Sequence, residues 1–333
     1  MDIIDKALQY LLASKVIVFP TETVYGLGAD AENIEAVRKV YSIKGRPLSH
    51  PVILHLPKVD DLAYWASDIP DEAYKLADIF WPGPLTLVLK KSSNVPDIVT
   101  GGQNTVGIRC PSHPVAQEIL IAFAKSKNHK KGALAAPSAN MFGKISPTCS
   151  SHVYNEFNKE YLKEIFVVDG GVSNIGIEST IIDLSGIREG KKASVLRPGH
   201  ITEMNIAKII ELESKDLSSN SIVVSGSLKS HYATITPLTV IDDTFFSKNL
   251  SVFAQKVDRL AVLYYGDKPI NVEENIDLYY MSSDPIIYAR HLYAMLRKID
   301  SKKYSRIFVK DLPFLAEWDA IRDRLYKAAA GFN

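Results

Sequence analysis

Between residues 214 and 230 the chain reads SKDLSSNSIVVSGSLKS, seven serines in 17 positions, and its texture changes across that stretch. A segment so rich in small polar residues buries too little apolar surface to join a core, so it reads as a linker. The chain then has to fold as two bodies, one on each side of it. Length agrees, because 333 residues exceed the roughly 100–200 of one ordinary domain.

Upstream, short apolar runs alternate with helical periods and Gly/Pro-rich joints. The periodicity predicts helices over 3–13, 33–43, 71–80, 114–125 and 149–163, and strands over 16–19, 52–56, 85–89, 106–109, 165–168, 179–184 and 194–196. Downstream the pattern simplifies to strands at 260–265, 277–280 and 306–309 with helices at 285–299 and 314–329, a small α/β domain with a mainly parallel sheet.

Composition narrows the function classes. The 39 basic residues are balanced by 38 acidic ones, which excludes a dedicated DNA coater. Hydrophobic residues at 46% exclude a disordered chain. No apolar run approaches the roughly 18 residues of a spanning helix, and the acidic start MDIID lacks the basic region of a signal peptide. Cys110 and Cys149 form neither CxxC nor a zinc pattern. The expectation is a reduced, cytoplasmic, soluble protein with no metal held by the protein itself.

Walker A, GxSxG and HExxH motifs are absent. Gly26–Ala31 fits GxGxxA, but residues 20–25 separate it from the strand that a dinucleotide fingerprint must follow directly, so Gly26–Gly28 reads as a turn. Arginine is the informative residue. Only five occur in the first 200 positions, and three are framed by Gly or Pro: Lys44-Gly45-Arg46-Pro47, Gly107-Ile108-Arg109-Cys110-Pro111 and Leu196-Arg197-Pro198-Gly199. Rigid frames aim guanidinium forks, which bind phosphate or carboxylate bidentately. Each also has a plainer reading: a helix C-terminus at Lys44-Gly45, an exposed strand residue at 109, an ion pair at 197. Thr21, Glu22, Thr23 and Tyr25 follow a buried strand, as ligand contacts or a capped turn. Alternation puts His55 with Ile53 on one face of its strand, opposite Val52, Leu54 and Leu56. Ala135–Asn140 is made of small residues that permit close backbone approach. Ser146-Pro147-Thr148 also suits a cap for the helix after 149. Ser179, entering a strand, faces a pocket or bonds backbone. The run Lys125, Lys127, His129, Lys130, Lys131 reads as a solvated loop, with RNA contact as the alternative.

Eight of these segments occur in a familiar order: 19–28, 44–47, 81–86, 107–111, 136–140, 146–148, 178–180 and 196–199. Over about residues 5–205 the chain resembles the YrdC/Sua5 family, whose members are L-threonylcarbamoyladenylate synthases. The remainder resembles the longer Sua5 type. The linker departs from the family pattern: His231-Tyr232-Ala233-Thr234 replaces His-Tyr-Ala-Pro, and Ser225-Gly226-Ser227-Leu228 replaces a Pro-Gly-Met stretch.

The resemblance implies an α/β fold: a YrdC-like twisted, mixed sheet around a concave positive cavity, plus a small Rossmann-like C-terminal domain. The implied divisions are a catalytic domain at 1–208, a linker or lid at 209–238 and a Sua5 domain at 239–333. The implied reaction is nucleotidyl transfer. L-threonine, bicarbonate and ATP give threonylcarbamoyl-AMP and pyrophosphate, for t6A modification at position 37 of tRNA. Mg2+ would ride on ATP, and tRNA or the downstream threonylcarbamoyl transferase complex would be transient partners. By motif, Lys44 and Arg46 would be catalytic. ATP would meet Lys44, Arg46, Leu48, Thr105, Ser138, Asn140, Ser146, Arg197, His231 and Tyr232. L-threonine would meet Thr21, His55, Arg109, Ala136 and Ser179. Two rivals remain. A carbamoyl-adenylate-forming hydrogenase maturation protein would be much longer and carry cysteine clusters. A double-stranded RNA binder would show a basic excess.

Overall fold

In the computed structural model, which describes residues 2–213, 222–226, 228–255, 258–269 and 272–332, Val16–Phe19 is a strand (β1) with all four residues buried. It lies in a ten-stranded sheet with Gly26–Asp30 (β2), Ile53–His55 (β3), Ala66–Ser67 (β4), Leu85–Lys91 (β5), Thr105–Arg109 (β6), Leu134–Ala136 (β7), Ile165–Val167 (β8), Thr180–Asp183 (β9) and Ser194–Arg197 (β10). The order is β10-β9-β5-β6-β3-β7-β2-β1-β8, with β4 on β5. The β1/β8, β3/β6 and β5/β9 pairs are parallel and the rest antiparallel, so the sheet is mixed.

Strand alternation decides what each face of the sheet does. On one face Leu54, Leu85, Leu87, Leu89, Val106, Ile108 and Ile182 join a core with Trp65, Leu76 and Trp81. A leucine sealed there contributes about 1.5–3 kcal/mol. The same strands turn Ile53, His55, Thr86, Thr105, Gly107, Arg109 and Ile181 to the other face. Beside them, helices Ile3–Leu12 and Pro114–Ser126 close over Phe19, Leu134 and Ala136 through Ala7, Leu11, Leu120 and Phe123.

The chain divides into two units, Met1–Phe142 with Ser146–Ser227, and Gly143–Ile145 with Leu228–Asn333. Of the serine-rich stretch, residues 214–221 and 227 lie outside the described residues. In the second unit Leu238–Ile241 (β11), Leu260–Tyr264 (β12), Ile276–Tyr280 (β13) and Arg306–Lys310 (β14) form a sheet in the order β11-β14-β12-β13, parallel throughout. Helix Pro285–Asp300, capped by the Asp284 carboxylate, buries Tyr288, Leu292, Tyr293 and Leu296. Tyr232 sits in the left-handed region at φ 60°, its ring 5.9 Å from Tyr293 and 5.2 Å from the Arg324 guanidinium. Thr234, where the family carries proline, is buried, and its hydroxyl donates to Thr236 O at 2.6 Å.

Four expectations are corrected. Gly26–Gly28 is not a turn but part of β2, antiparallel to β1 with Phe19 opposite Gly26. The helix over 149–163 is two, Ser150–Glu156 and Lys159–Glu164, because Asn158 accepts from the amides of Glu160 and Tyr161 and starts a new helix. Cys149, not a residue of 146–148, precedes the first of these, and it makes no side-chain cap. The last helix begins at Asp319 rather than 314, after a 3-10 turn at Ala316–Trp318.

Candidate active site

Arg109 ends β6 and His55 ends β3. Register sets His55 opposite Arg109, and Arg109 opposite Thr86. All three lie on the face that the leucines leave free, and all are buried. Thr86 Oγ1 lies 2.8 Å from Ser179 Oγ. Arg197 donates to the Ser179 carbonyl through Nε (3.1 Å) and Nη2 (2.8 Å), and to its hydroxyl at 3.1 Å. Its Nη1 donates to Ser225 O at 2.9 Å. Arg197 thus fixes one wall of the site through main chain.

That wall depends on Gly199. A Cβ there would stand 2.3 Å from Thr180 N and 2.7 Å from Ser179 C, both backbone atoms. Gly199→Ala is expected to cost about 1–3 kcal/mol, because the Ser179–Thr180 backbone has to move aside. Thermal melts check it, and an unchanged Tm would mean that the wall does not depend on Gly199.

The segment after β1 lies against Arg109. Nη1 donates to Thr23 Oγ1 at 2.8 Å, Thr23 Oγ1 is 2.9 Å from Thr21 Oγ1, and Nε donates to Gly83 O at 3.2 Å. Glu22 Oε1 lies 2.6 Å from Nη2, with both side chains buried. Burial, and then the Arg109 guanidinium, pull the pKa of His55 down to about 3. Its imidazole is therefore neutral near pH 7, with Nδ1 3.2 Å from Ile53 O. Unfolded, His55 takes a proton below about pH 6.5; folded, it resists one until about pH 3. Its contribution is fully present above pH 6.5 and falls with pH through that window, by roughly 1.4 kcal/mol per pH unit. Urea titrations from pH 7 to 4 should show a shallower decline for His55→Gln than for wild type; parallel curves would refute a buried neutral His55.

Helix Ile34–Lys44 stops at Gly45, left-handed at φ 62°, as the helix-terminus reading expects. The Lys44 side chain leaves its own helix: Nζ donates to the carbonyls of Ser138 and Asn140, both at 2.5 Å. Burial, and then Arg46, hold its pKa well below the usual lysine value. Arg46 donates to Pro51 O at 2.7 Å and Ser225 Oγ at 3.2 Å, with Phe142 5.5 Å from its guanidinium. Ser225 therefore touches Arg46 and Arg197 at once. Gln103 grips Val223 through both its amide N–H (2.9 Å) and its carbonyl (3.0 Å). Between this segment and the sheet is a groove, partly open to solvent, lined by Thr86, Thr105, Gly107, Ile181 and Val224.

The other sequence-predicted residues fall as follows. Ala136 is buried on β7, opposite Ile53. Ser146 donates to Glu178 at 2.5 Å. Asn140 is buried, and Leu48 is 46% exposed. His231 and Tyr232 belong to the second unit. Lys127 pairs with Asp30 and Glu32, and His129 with Glu32, so the basic run is partly neutralised by its own fold. Among the described residues, no group of three or more His, Cys, Asp or Glu side chains is placed to hold a metal ion, and no helix is long and apolar enough to cross a membrane.

The model of the Sua5/YciO/YrdC family, described as telomere recombination, matches residues 9–199. This chain belongs to that family. A second model, the C-terminal domain of threonylcarbamoyl-AMP synthase, matches residues 201–330, as expected of a Sua5-type member. Among family members, the threonylcarbamoyl-AMP synthase of Bacillus subtilis is 34% identical, covering 98% of this chain and 93% of that protein. That of Pyrococcus abyssi is 33% identical, covering 97% and 93%. A crystal structure of P. abyssi Sua5 complexed with L-threonine superposes with a TM-score of 0.84, at 33% identity over 99% of this chain and 94% of that one. A second structure of that protein, with a neighbouring His and Tyr both replaced by alanine, gives 0.86, at 33% identity over 99% and 93%.

Thr86 and Ser225 were not assigned to the site from the sequence, and Glu22 read only as a ligand contact or part of a capped turn. Thr86 had a readable signal, since it stands among leucines on a buried strand, on the opposite parity. Ser225 had none, because its contacts are made across 179 and 28 positions of chain.

Proposed function

We propose that the chain is an L-threonylcarbamoyladenylate synthase, a nucleotidyltransferase that makes threonylcarbamoyl-AMP and pyrophosphate for t6A modification of tRNA. The observation that carries it is the set of four buried basic side chains, Lys44, Arg46, Arg109 and Arg197, in the first unit of a chain with net charge +1. Its relatives' shared name supplies the reaction. Guanidinium and ammonium groups bind phosphate and carboxylate, and ATP and an amino acid supply both.

The amine of L-threonine takes up bicarbonate, forming a carbamate and releasing water. A carbamate oxygen then attacks the α-phosphate of ATP, and pyrophosphate leaves. The chemistry calls for no protein nucleophile, so catalysis rests on positioning and charge. Lys44 and Arg46 hold the phosphates, with Thr105, Ser138, Asn140, Ser146 and Arg197 around the nucleotide and Leu48 offering it an apolar surface. Arg109 takes the threonine carboxylate, beside Thr21, His55, Ala136 and Ser179. A triphosphate beside Lys44 favours its charged form, offsetting the burial that opposes it. Mg2+ carried by the triphosphate would supply further neutralisation of its charge. His231 and Tyr232 close over the nucleotide, with residues 209–238 as the lid between a catalytic domain (1–208) and a Sua5 domain (239–333). The enzyme works in the cytoplasm, where it contacts tRNA or the downstream transferase complex transiently.

The test is pyrophosphate release with ATP, L-threonine and bicarbonate, omitting each in turn. Release that needs all three supports the reading. Release from ATP alone, or none from folded protein, overturns it.

A further inference from the structure

The Glu22–Arg109 pair is buried yet incompletely bonded. Glu22 is 5% exposed and Arg109 4%. Oε1 of Glu22 lies 2.6 Å from Nη2 of Arg109. Even so, neither Glu22 oxygen accepts a hydrogen bond and Nη2 donates none. The arginine spends Nε on Gly83 and Nη1 on Thr23. A buried ion pair offsets its desolvation only when further hydrogen bonds complete it. This one keeps donors and acceptors in reserve, on the face of the sheet that carries His55, Thr86 and Ser179.

A ligand bearing only a carboxylate would complete Arg109 but lie against the Glu22 carboxylate, and like charges at that range repel. A ligand bearing only an ammonium would complete Glu22 and crowd Arg109. A zwitterion completes both. Resting on the synthase reading above, we propose that Glu22 receives the α-ammonium of the amino acid while Arg109 receives its carboxylate. The pair then selects an α-amino acid over the hydroxy acid of the same shape, and it delivers to the site the one ligand group that can become a carbamate.

The experiment measures binding of L-threonine and of 2,3-dihydroxybutanoate (threonine with hydroxyl in place of ammonium) by calorimetry, with L-threonine-dependent pyrophosphate release in parallel. Wild type should bind L-threonine and prefer it over the hydroxy acid by about a thousandfold or more, because a buried group left without its partner discriminates strongly. Glu22→Gln should weaken L-threonine binding about 30-fold or more and bind the hydroxy acid more tightly than wild type does. Equal affinity of wild type for both ligands overturns the proposal without any variant, so it stands open to refutation even if Glu22→Gln does not fold. A variant that binds both more tightly makes Glu22 a competitor for Arg109, and equal loss of both makes its role structural; either outcome also overturns it. If wild type shows the zwitterion preference but no L-threonine-dependent turnover, the synthase reading fails and the role of Glu22 stands.

Discussion

Arg109→Ala is expected to abolish L-threonine-dependent turnover and to destabilise the protein by about 3–5 kcal/mol, the cost of leaving a buried charge without its partner. Both effects have one source. Removing the guanidinium takes away the proposed carboxylate receptor and strands the buried Glu22 carboxylate. It also takes a donor from Gly83 O and from Thr23 Oγ1. The Arg109→Ala/Glu22→Ala double variant separates the two. With both charges gone, urea denaturation should show most of the lost stability regained, while pyrophosphate release stays at background. A single variant that loses less than about 1 kcal/mol would show that the pair behaves like a solvated one, and the burial argument would fail with it.

Lys44→Met should lower kcat by about 10²–10³-fold, the loss found when one preorganised charge-stabilising donor is removed. The KM for L-threonine should change little, because Lys44 bonds the Ser138 and Asn140 carbonyls and the residues proposed for L-threonine are grouped with Arg109. A stability loss of about 1–3 kcal/mol should accompany it, from the two carbonyls left without a donor. Methionine keeps most of the buried stem, so the comparison isolates the ammonium. A loss of stability with kcat intact would make Lys44 a structural pin between the helix end and the 138–140 loop and remove it from catalysis.

How much of this was readable in advance depends on how far apart the interacting residues are in the chain. Leu85–Leu89 and Ile53–His55 declared their strands and faces through alternation, and Lys44-Gly45 declared its helix stop. The framed arginines 46, 109 and 197 stood out because the first unit uses so few. By contrast, Gly26–Asp30 carries too few bulky side chains to alternate, so β2 was invisible until Phe19 was seen opposite Gly26. Lys44 read equally well as a helix terminus or a ligand contact, and it is the last residue of its helix with a side chain directed elsewhere. The partnership of Glu22 with Arg109 spans 87 positions of chain (109 minus 22). A local pattern cannot reveal it.

The strand order of the second unit sets a timetable. β14 lies between β11 and β12, yet it follows both in the chain, after β13 and the helix Pro285–Asp300. During synthesis, β11 and β12 emerge first and have no direct pairing with each other. Each waits with an open edge until residue 310 has left the ribosome, and parallel pairing across such long loops is slow even then. A ribosome stalled before that point would hold a half-sheet with exposed edges, the species on which chaperones act.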